Sequence, residues 1–308
     1  MNVCASSVRP STPLGALSSP LDIVKLRPLM EQTRGLPSIR IALIDGPVAV
    51  DHAALAASKV RGIGDAAAAC LGRPGDACTH GTLVAGVLIA SRESGAPAIC
   101  PDCTLIVRPI FSEKATGADR MPVATLDQLA EAIVDSVNAS AQVLNVSAAV
   151  GGPSGRAERR IIEALDHAAH RGSLVVVAAG NRATGSSAIT RHPWVLPVVA
   201  CDSAGRPAPD SNLSHSVGMR GLRAPGEKIR SVDAGGTLRD FSGTSAAAPF
   251  VTGTVALLRA RFPDATANDL RVAVTQIATS RRTTVVPPLL DASAAFRSLA
   301  LRYGAAMS

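Results

Sequence analysis

Short apolar runs alternate with amphipathic stretches along most of this 308-residue chain. Each run is short enough to be a strand, and the runs are residues 39–44, 104–110, 143–146, 174–178 and 195–200. Between them, apolar side chains recur at helical spacing, as in residues 125–139 and 156–170. This alternation predicts an α/β fold with a doubly wound, mainly parallel sheet that carries helices on both faces. The composition does not break between residues 38 and 300, so we predict a single domain.

Composition restricts both the core and the partners of this domain. Hydrophobic residues make up 47% of the chain but aromatic residues only 2%, so Ala, Val, Leu and Ile must build the core. The formal net charge is +7, but the Arg residues are scattered and are not interleaved with aromatic side chains. No run approaches the ~18 consecutive apolar residues of a membrane span. We therefore predict no nucleic-acid partner and no membrane partner.

The N-terminal residues differ from the rest of the chain. Residues 1–20 are rich in Ser and Pro, which predicts a disordered tail ahead of a folded domain over residues 21–308. The tail lacks the long apolar segment of a secretory signal. The sequence S-P-L-D at residues 19–22 is typical of a helix start and predicts a short helix to about Arg34.

Residues 240–253, D-F-S-G-T-S-A-A-A-P-F-V-T-G, are typical of a loop that enters a deeply buried helix. At the start of that helix, Ser245 would lie beside unpaired N–H groups and the positive end of the helix dipole. This setting suits a nucleophile whose attack creates an oxyanion. Taken alone, the motif favours a simple capping serine, because such serines are common. The nucleophile interpretation therefore depends on partners elsewhere in the chain.

Three upstream motifs supply such partners. Asp45 ends the apolar run 39–44, at the edge where open α/β sheets place functional groups. His80 lies in T-H-G-T-L-V-A-G, at the start of a predicted helix of small residues. Asn181 ends the run L-V-V-V-A-A-G-N, where its amide can donate a hydrogen bond to an oxyanion.

These four motifs, in the order Asp45, His80, Asn181 and Ser245, resemble those of the subtilisin-like serine peptidases, or subtilases. The resemblance extends from about residue 30 to about residue 297. It implies a serine endopeptidase acting on a peptide or protein substrate through an acyl-enzyme. Ser245 would attack, His80 would accept its proton, and Asp45 would orient His80. Asn181 and the Ser245 backbone N–H would bind the oxyanion.

The resemblance also implies a set of substrate-binding residues. Residues 147–152 resemble the stretch that pairs with the substrate backbone as an added strand, and residues 121–124 would form the other side. Arg182 would lie at the rim of the S1 pocket, where its charge either favours acidic side chains or is screened by solvent. Thr244 would assist the oxyanion hole or simply form the turn. The substrate-binding set is Ser147, Ala148, Gly151, Gly152, Ala179, Gly180, Arg182 and Thr244.

We predict neither a metal ion nor a cofactor. Residues 91–103 lack the Asn-rich insertion with which many subtilases bind calcium. The remaining histidines lie in predicted loops or on helix faces without partners, so they are not expected to carry chemistry. Four cysteines, Cys70, Cys78, Cys100 and Cys103, allow free or partly paired thiols, disulfides or a zinc site, which we rank in that order. Cys4 and Cys201 are expected to be unpaired.

Two further motifs narrow the resemblance. The sequences D-G-P-V at residues 45–48 and C-P-D-C-T-L-I-V-R-P-I-F at residues 100–111 resemble cyanobactin-type maturation proteases, which cut precursor peptides of ribosomal natural products. Macrocyclising members of that group carry an extra helical insert near the active site. The 35 residues from Asp45 to His80 leave no room for it, which implies hydrolysis, such as leader removal.

Three functions are therefore compatible with the sequence. The first is a peptidase that processes a precursor peptide, the second a general intracellular subtilase for protein turnover, and the third an inactive subtilase fold that binds peptides. The intact set of Asp45, His80, Ser245 and Asn181 argues against the third. Only 44 residues precede Asp45, too few for both a signal and a folding prodomain, so we expect a cytoplasmic protein. The oligomeric state is left open.

Overall fold

The computed structural model describes residues 19–64, 68–70, 74–111, 124–147, 155–275 and 283–304. The tail predicted over residues 1–20 lies almost entirely outside these ranges. Ala148, Gly151 and Gly152, and residues 121–123, also lie outside them.

The strands confirm the predicted parallel sheet. In chain order they are β1 (Arg40–Asp45), β2 (Lys59–Gly62), β3 (Thr104–Pro109), β4 (Val143–Val146), β5 (Leu174–Ala178), β6 (Val195–Cys201), β7 (Leu222–Pro225), β8 (Ile229–Val232) and β9 (Leu238–Phe241). Within the described residues, seven strands form a parallel sheet in the order β2-β3-β1-β4-β5-β6-β7. Strands β8 and β9 form a separate antiparallel hairpin.

Helices cover both faces of the sheet. They are α1 (Pro20–Ile23), α2 (Arg27–Gln32), α3 (Asp76–Ile89), α4 (Leu126–Asn138), α5 (Gly155–His170), α6 (Ala188–Arg191), α7 (His215–Arg220), α8 (Thr244–Arg261), α9 (Ala267–Thr275) and α10 (Ala292–Tyr303). Alternate residues of β1 face opposite layers, as strand geometry requires. Ile41 and Leu43 pack in the layer with α3, α8, α9 and α10, whereas Ala42 and Ile44 pack in the layer with α4 and α5. Most of the core therefore lies in two mainly aliphatic layers, one on each side of the sheet.

Helix α8 is buried along most of its length. Every residue from Thr244 to Leu258 is buried, and the helix packs across β4, β5, β6 and β7. A Cβ atom at Gly253 would lie only 2.6 Å from Ile99 Cγ2, so a glycine is needed for this close approach. The depth of α8 fixes the position of its first turn, which carries Ser245.

Some local predictions were wrong. The sequence of residues 202–240 predicts a loop-rich region, but the structure places α7, β7, β8 and the first part of β9 there. The Ala-rich sequence of residues 53–70 predicts helix and loop, but the described part of this range holds a short 3₁₀ turn (Ala53–Leu55) and the mostly exposed strand β2. The first predicted helix is two helices, α1 and α2, because Lys25 between them has a positive φ of 51°. Short or exposed elements give little apolar periodicity, which explains these errors.

Cysteines 70 and 78 are joined by a disulfide, with their Cα atoms 5.6 Å apart. Cys100, Cys103 and Cys201 are buried free thiols. The disulfide removes two ligands from the zinc site considered for Cys70, Cys78, Cys100 and Cys103. It ties the start of α3 to the segment after β1, because Cys70 N donates to Val48 O over 3.1 Å.

Reduction of this disulfide is expected to destabilise the fold by about 2–3 kcal/mol, since it closes a short loop that restricts the unfolded chain. The measurement is the melting temperature with and without dithiothreitol. The reductant should have no such effect on a Cys70→Ala/Cys78→Ala variant, whereas a Cys201→Ala variant should respond as the wild type does. An unchanged wild-type melting temperature under reductant would contradict this prediction.

None of the helices in the described residues combines the length and apolarity needed to cross a bilayer.

Candidate active site

The candidate site lies at the carboxyl end of the parallel sheet. Asp45 is the last residue of β1, and His80 lies in the first half of α3 as its fifth residue, rather than at its start. Glycines bring these two elements together: a Cβ at Gly46 would lie 2.0 Å from Ala77 O, and one at Gly81 would lie 2.4 Å from Pro47 O. The strand end and the helix can therefore lie in direct backbone contact.

A chain of two hydrogen bonds joins the three predicted triad residues. His80 Nδ1 lies 2.8 Å from Asp45 Oδ1, and His80 Nε2 lies 2.9 Å from Ser245 Oγ. Asp45 is fully buried, and its Oδ1 also accepts a hydrogen bond of 2.6 Å from Gly46 N. Its Oδ2 is buried and has no hydrogen-bond partner in the described residues. The carboxylate is thus held rigidly behind the imidazole.

The environment of His80 raises its pKa above the ordinary value of 6.5. Burial of the imidazole by itself lowers the pKa, but the charge of Asp45 and its hydrogen bond raise it by more. The Phe241 ring stands edge-on to the imidazole, with 6.4 Å between ring centroids and an interplanar angle of 87°. The Phe241 ring therefore shields His80 from solvent, and the Asp45 carboxylate stabilises its protonated form, as a proton acceptor requires.

Asn181 lies beside the first turn of α8. Its Oδ1 accepts a hydrogen bond of 2.8 Å from Thr244 N, and Thr244 Oγ1 accepts one of 3.1 Å from Gly180 N. Because a backbone N–H must face the amide oxygen, this contact orients Nδ2 away from Thr244. A Cβ at Gly243, whose φ is 119°, would lie 2.8 Å from Asn181 Nδ2. Asn181 is exposed, so its Nδ2 can reach a ligand.

The other predicted substrate-binding residues are only partly described. Ser147 is buried, and its Oγ accepts a hydrogen bond of 2.9 Å from Asn145 Nδ2, which links it to the core beneath α8. Ala179 is buried and Gly180 has a φ of 103°, so both shape the bend after β5. Arg182 is exposed.

The expectation that the remaining histidines lack partners was wrong for several of them. His52 Nδ1 accepts a hydrogen bond of 3.0 Å from Ala54 N and caps the 3₁₀ turn. His192 Nε2 lies 3.1 Å from Asp166 Oδ1 on α5. These contacts are structural. In the described ranges, no three His, Cys, Asp or Glu side chains gather as metal ligands would.

Two residues beside the site were missed by the sequence analysis. Phe241 packs against His80, and Asn212 bonds to the backbone around Asn181. Phe241 immediately precedes the predicted S-G-T-S turn, which was an available signal. Asn212 lies in a stretch without apolar periodicity and gives no local signal.

The sequence profile of the subtilase family matches residues 38–295, and the chain belongs to this family. The match covers all four predicted catalytic positions.

Curated relatives include the thermostable alkaline protease of Halalkalibacterium halodurans, 31% identical over 204 residues, which are 65% of this chain and 52% of that protein. Subtilisin E of Bacillus subtilis is 27% identical over 232 residues, which are 73% of this chain and 56% of that protein. The chain thus spans about half the length of the first curated relatives that it matches.

Solved structures of maturation proteases match over most of the chain. A variant of the PatA protease domain is 30% identical with a TM-score of 0.74, over 88% of this chain and 98% of that one. The prenylagaramide maturation protease PagA is 26% identical with a TM-score of 0.76, over 89% of this chain and 98% of that one. The resemblance drawn from residues 45–48 and 100–111 is therefore confirmed.

Proposed function

We propose that this protein is a serine endopeptidase that hydrolyses peptide bonds through an acyl-enzyme on Ser245. The observation that carries the proposal is the chain of hydrogen bonds from Ser245 Oγ through His80 to Asp45. Membership of the subtilase family supports it. A hydroxyl bonded to an imidazole, which is itself oriented by a buried carboxylate, is the arrangement that activates a serine nucleophile.

The geometry supports the following sequence of steps. Ser245 Oγ attacks the scissile carbonyl carbon while His80 Nε2 takes the hydroxyl proton, and Asp45 stabilises the imidazolium that forms. The carbonyl oxygen becomes an oxyanion, bound by Asn181 Nδ2 and the Ser245 N–H. His80 then gives its proton to the leaving amine nitrogen, which leaves an ester on Ser245. Water hydrolyses the ester by the same sequence, with His80 as the base.

Labelling with a fluorophosphonate tests the proposed nucleophile. The wild type should form a covalent adduct on Ser245, because the reagent requires an activated serine. The matched control is Ser245→Ala, which removes one oxygen and should not be labelled. Adducts that persist in this variant would remove Ser245 from its proposed role, and an unlabelled wild type would argue for an inactive fold.

Asn181→Ala is expected to lower kcat by about 100- to 1,000-fold with little change in KM, because its hydrogen bond forms mainly in the transition state. This range was measured in subtilisin itself for an equivalent loss. Steady-state kinetics on a peptide substrate provide the check, with Asn138→Ala, an exposed asparagine at the end of α4, as the control. A raised KM with normal kcat would assign Asn181 to ground-state binding instead.

We propose further that the substrate is a precursor peptide and that the reaction removes a leader segment. The similarity to PatA and PagA, which are maturation proteases, supports this substrate class. A peptide-library digest read by mass spectrometry would define the cleavage motif, with Ser245→Ala as the blank. A narrow processing enzyme should leave denatured casein mostly intact, whereas extensive casein digestion would favour general protein turnover.

Arg182 is proposed to influence which side chain precedes the scissile bond. Arg182→Glu should raise kcat/KM for a Lys or Arg P1 peptide over its Glu counterpart by a few-fold at low salt, since an exposed charge contributes little. Arg61→Glu, the same charge change on the distant edge strand β2, should leave this ratio unaltered. If Arg182→Glu behaves like the control, Arg182 does not contribute to selectivity.

The compartment remains a prediction. The short segment before Asp45 favours the cytoplasm, whereas the Cys70–Cys78 disulfide is more typical of an oxidising environment. Thiol trapping of the protein in intact cells distinguishes the two: an alkylated Cys70 indicates a reducing compartment, and a protected Cys70 an oxidising one.

A further inference from the structure

Asn212 holds the loop that carries Asn181. Its backbone N donates a hydrogen bond of 2.8 Å to Gly180 O, just before Asn181. Its side-chain Oδ1 accepts hydrogen bonds of 3.0 Å from both Arg182 N and Thr184 N, just after Asn181. Its Nδ2 donates to Ala179 O over 3.0 Å. Asn212 therefore bonds to the backbone on both sides of Asn181.

The other supports of this loop are hydrogen bonds rather than apolar packing. Residues 181–187 are all exposed, so burial of apolar side chains does not fix their positions. Beyond β5, Ala179 N still bonds to Val198 O, and Ala183 N bonds to Asp210 O, two residues before Asn212. The loop backbone also packs closely against the Asn212 side chain, since a Cβ at Gly180 would lie 2.4 Å from Asn212 Nδ2. The first turn of α8 adds two bonds, from Gly180 N to Thr244 Oγ1 and from Thr244 N to Asn181 Oδ1. The Asn212 side chain supplies three further bonds to the loop backbone, at Ala179 O, Arg182 N and Thr184 N.

We propose that Asn212 is a positioning residue for the oxyanion site and acts on the transition state through Asn181. This inference rests on the proposed peptidase function. Asn181 Nδ2 must lie where the oxyanion forms, and a misplacement of about 1 Å can cost as much as 100-fold in rate. The hydrogen bonds of Asn212 described above are to the loop backbone, so Asn212 sets the loop position that allows Asn181 to reach the oxyanion.

The chemistry requires an amide at position 212. The side chain must accept from two N–H groups at one end and donate to a carbonyl oxygen at the other. Aspartate retains the acceptor but would set a carboxylate oxygen against Ala179 O. Alanine removes all three side-chain bonds. The expected order of activity is therefore wild type, then Asn212→Asp, then Asn212→Ala.

A double-mutant cycle with Asn181→Ala tests the proposal. Asn212→Ala alone should lower kcat by about 10- to 50-fold, with KM within about twofold. In the Asn181→Ala background, the same substitution should cost less than about twofold, because the group that it positions is already gone. Equal losses in both backgrounds would overturn the proposal.

A peptide aldehyde gives a second readout that a purely structural role would not move. It forms a tetrahedral adduct with Ser245 whose oxygen occupies the oxyanion position, so its Ki should rise about tenfold in Asn212→Ala while KM stays nearly constant. Ser211→Ala is the matched control. Ser211 adjoins Asn212, and its Oγ accepts a hydrogen bond of 3.2 Å from Ala200 N on β6 rather than from the loop.

The outcomes separate the possible failures. Ser211→Ala should lower the melting temperature without changing kcat or Ki. Suppose that Asn212→Ala and Ser211→Ala lower the melting temperature equally. An equal loss of kcat in the two variants would then overturn the positioning role. If Asn212→Ala does not fold, Asn212→Asp replaces it in the cycle. A wild-type protein without activity would contradict the peptidase function itself.

Discussion

Ser245→Ala and His80→Ala are each expected to lower kcat by about 10⁶-fold, the size of loss measured for such changes in subtilisin itself. The reason is geometric. Ser245 Oγ has its acceptor, His80 Nε2, at 2.9 Å, and neither atom can replace the other. A hydroxyl without a base is a weak nucleophile, and a base without the hydroxyl has no proton to accept.

The double variant makes this prediction sharper. Because the two residues act as one unit, Ser245→Ala/His80→Ala should be no slower than either single variant. Thr254→Ala is the matched control on the same helix, α8. Its hydroxyl is fully buried and bonds to Phe250 O over 2.7 Å, so its loss should lower the melting temperature but not kcat. Multiplicative losses in the double variant would contradict a joint action of Ser245 and His80.

The parts of the fold that the sequence predicted well are those with a continuous apolar signal. Strands β1, β4, β5 and β6 are almost entirely buried and lie within a residue or two of the predicted bounds. Strand β2 is largely exposed, and β9 is exposed along most of its length. Neither carries the apolar run that marks a buried strand, so no local pattern predicted them.

The candidate site was predictable in residue type but not in its supports. Asp45, His80, Asn181 and Ser245 each lie in a recognisable motif. Asn212 lies 31 residues after Asn181 in the sequence. The two come together because β6 pairs with β5 and the chain after β6 then returns to the end of β5, where Asn212 N bonds to Gly180 O. The Cys70–Cys78 pairing likewise depends on tertiary contact, because spacing alone does not select a partner.

Asp45→Asn should lower kcat by about 10⁴-fold, the loss measured for this change in a chymotrypsin-like triad. Two donors, Gly46 N and His80 Nδ1, converge on Asp45 Oδ1. An amide that keeps its oxygen there buries its NH₂ group at the Oδ2 position, which has no partner in the described residues. An amide turned the other way puts its NH₂ at the Oδ1 position, where it meets the Gly46 N–H, a second donor. The same NH₂ would donate to His80 Nδ1 and so favour the wrong tautomer of the imidazole. Both orientations also remove the charge that stabilises the imidazolium.

The pH dependence of the same variant tests whether that charge is the cause. Only neutral His80 can accept the Ser245 proton, so kcat/KM of the wild type should fall as the pH is lowered through the His80 pKa. Because this pKa is raised, the midpoint of that acid limb should lie above pH 6.5. In Asp45→Asn, burial still lowers this pKa but the opposing carboxylate is absent, so the acid limb should move below pH 6.5. Profiles of kcat/KM against pH for both proteins provide the measurement. An acid limb that stays in place while the rate falls would mean that Asp45 orients His80 without setting its proton affinity.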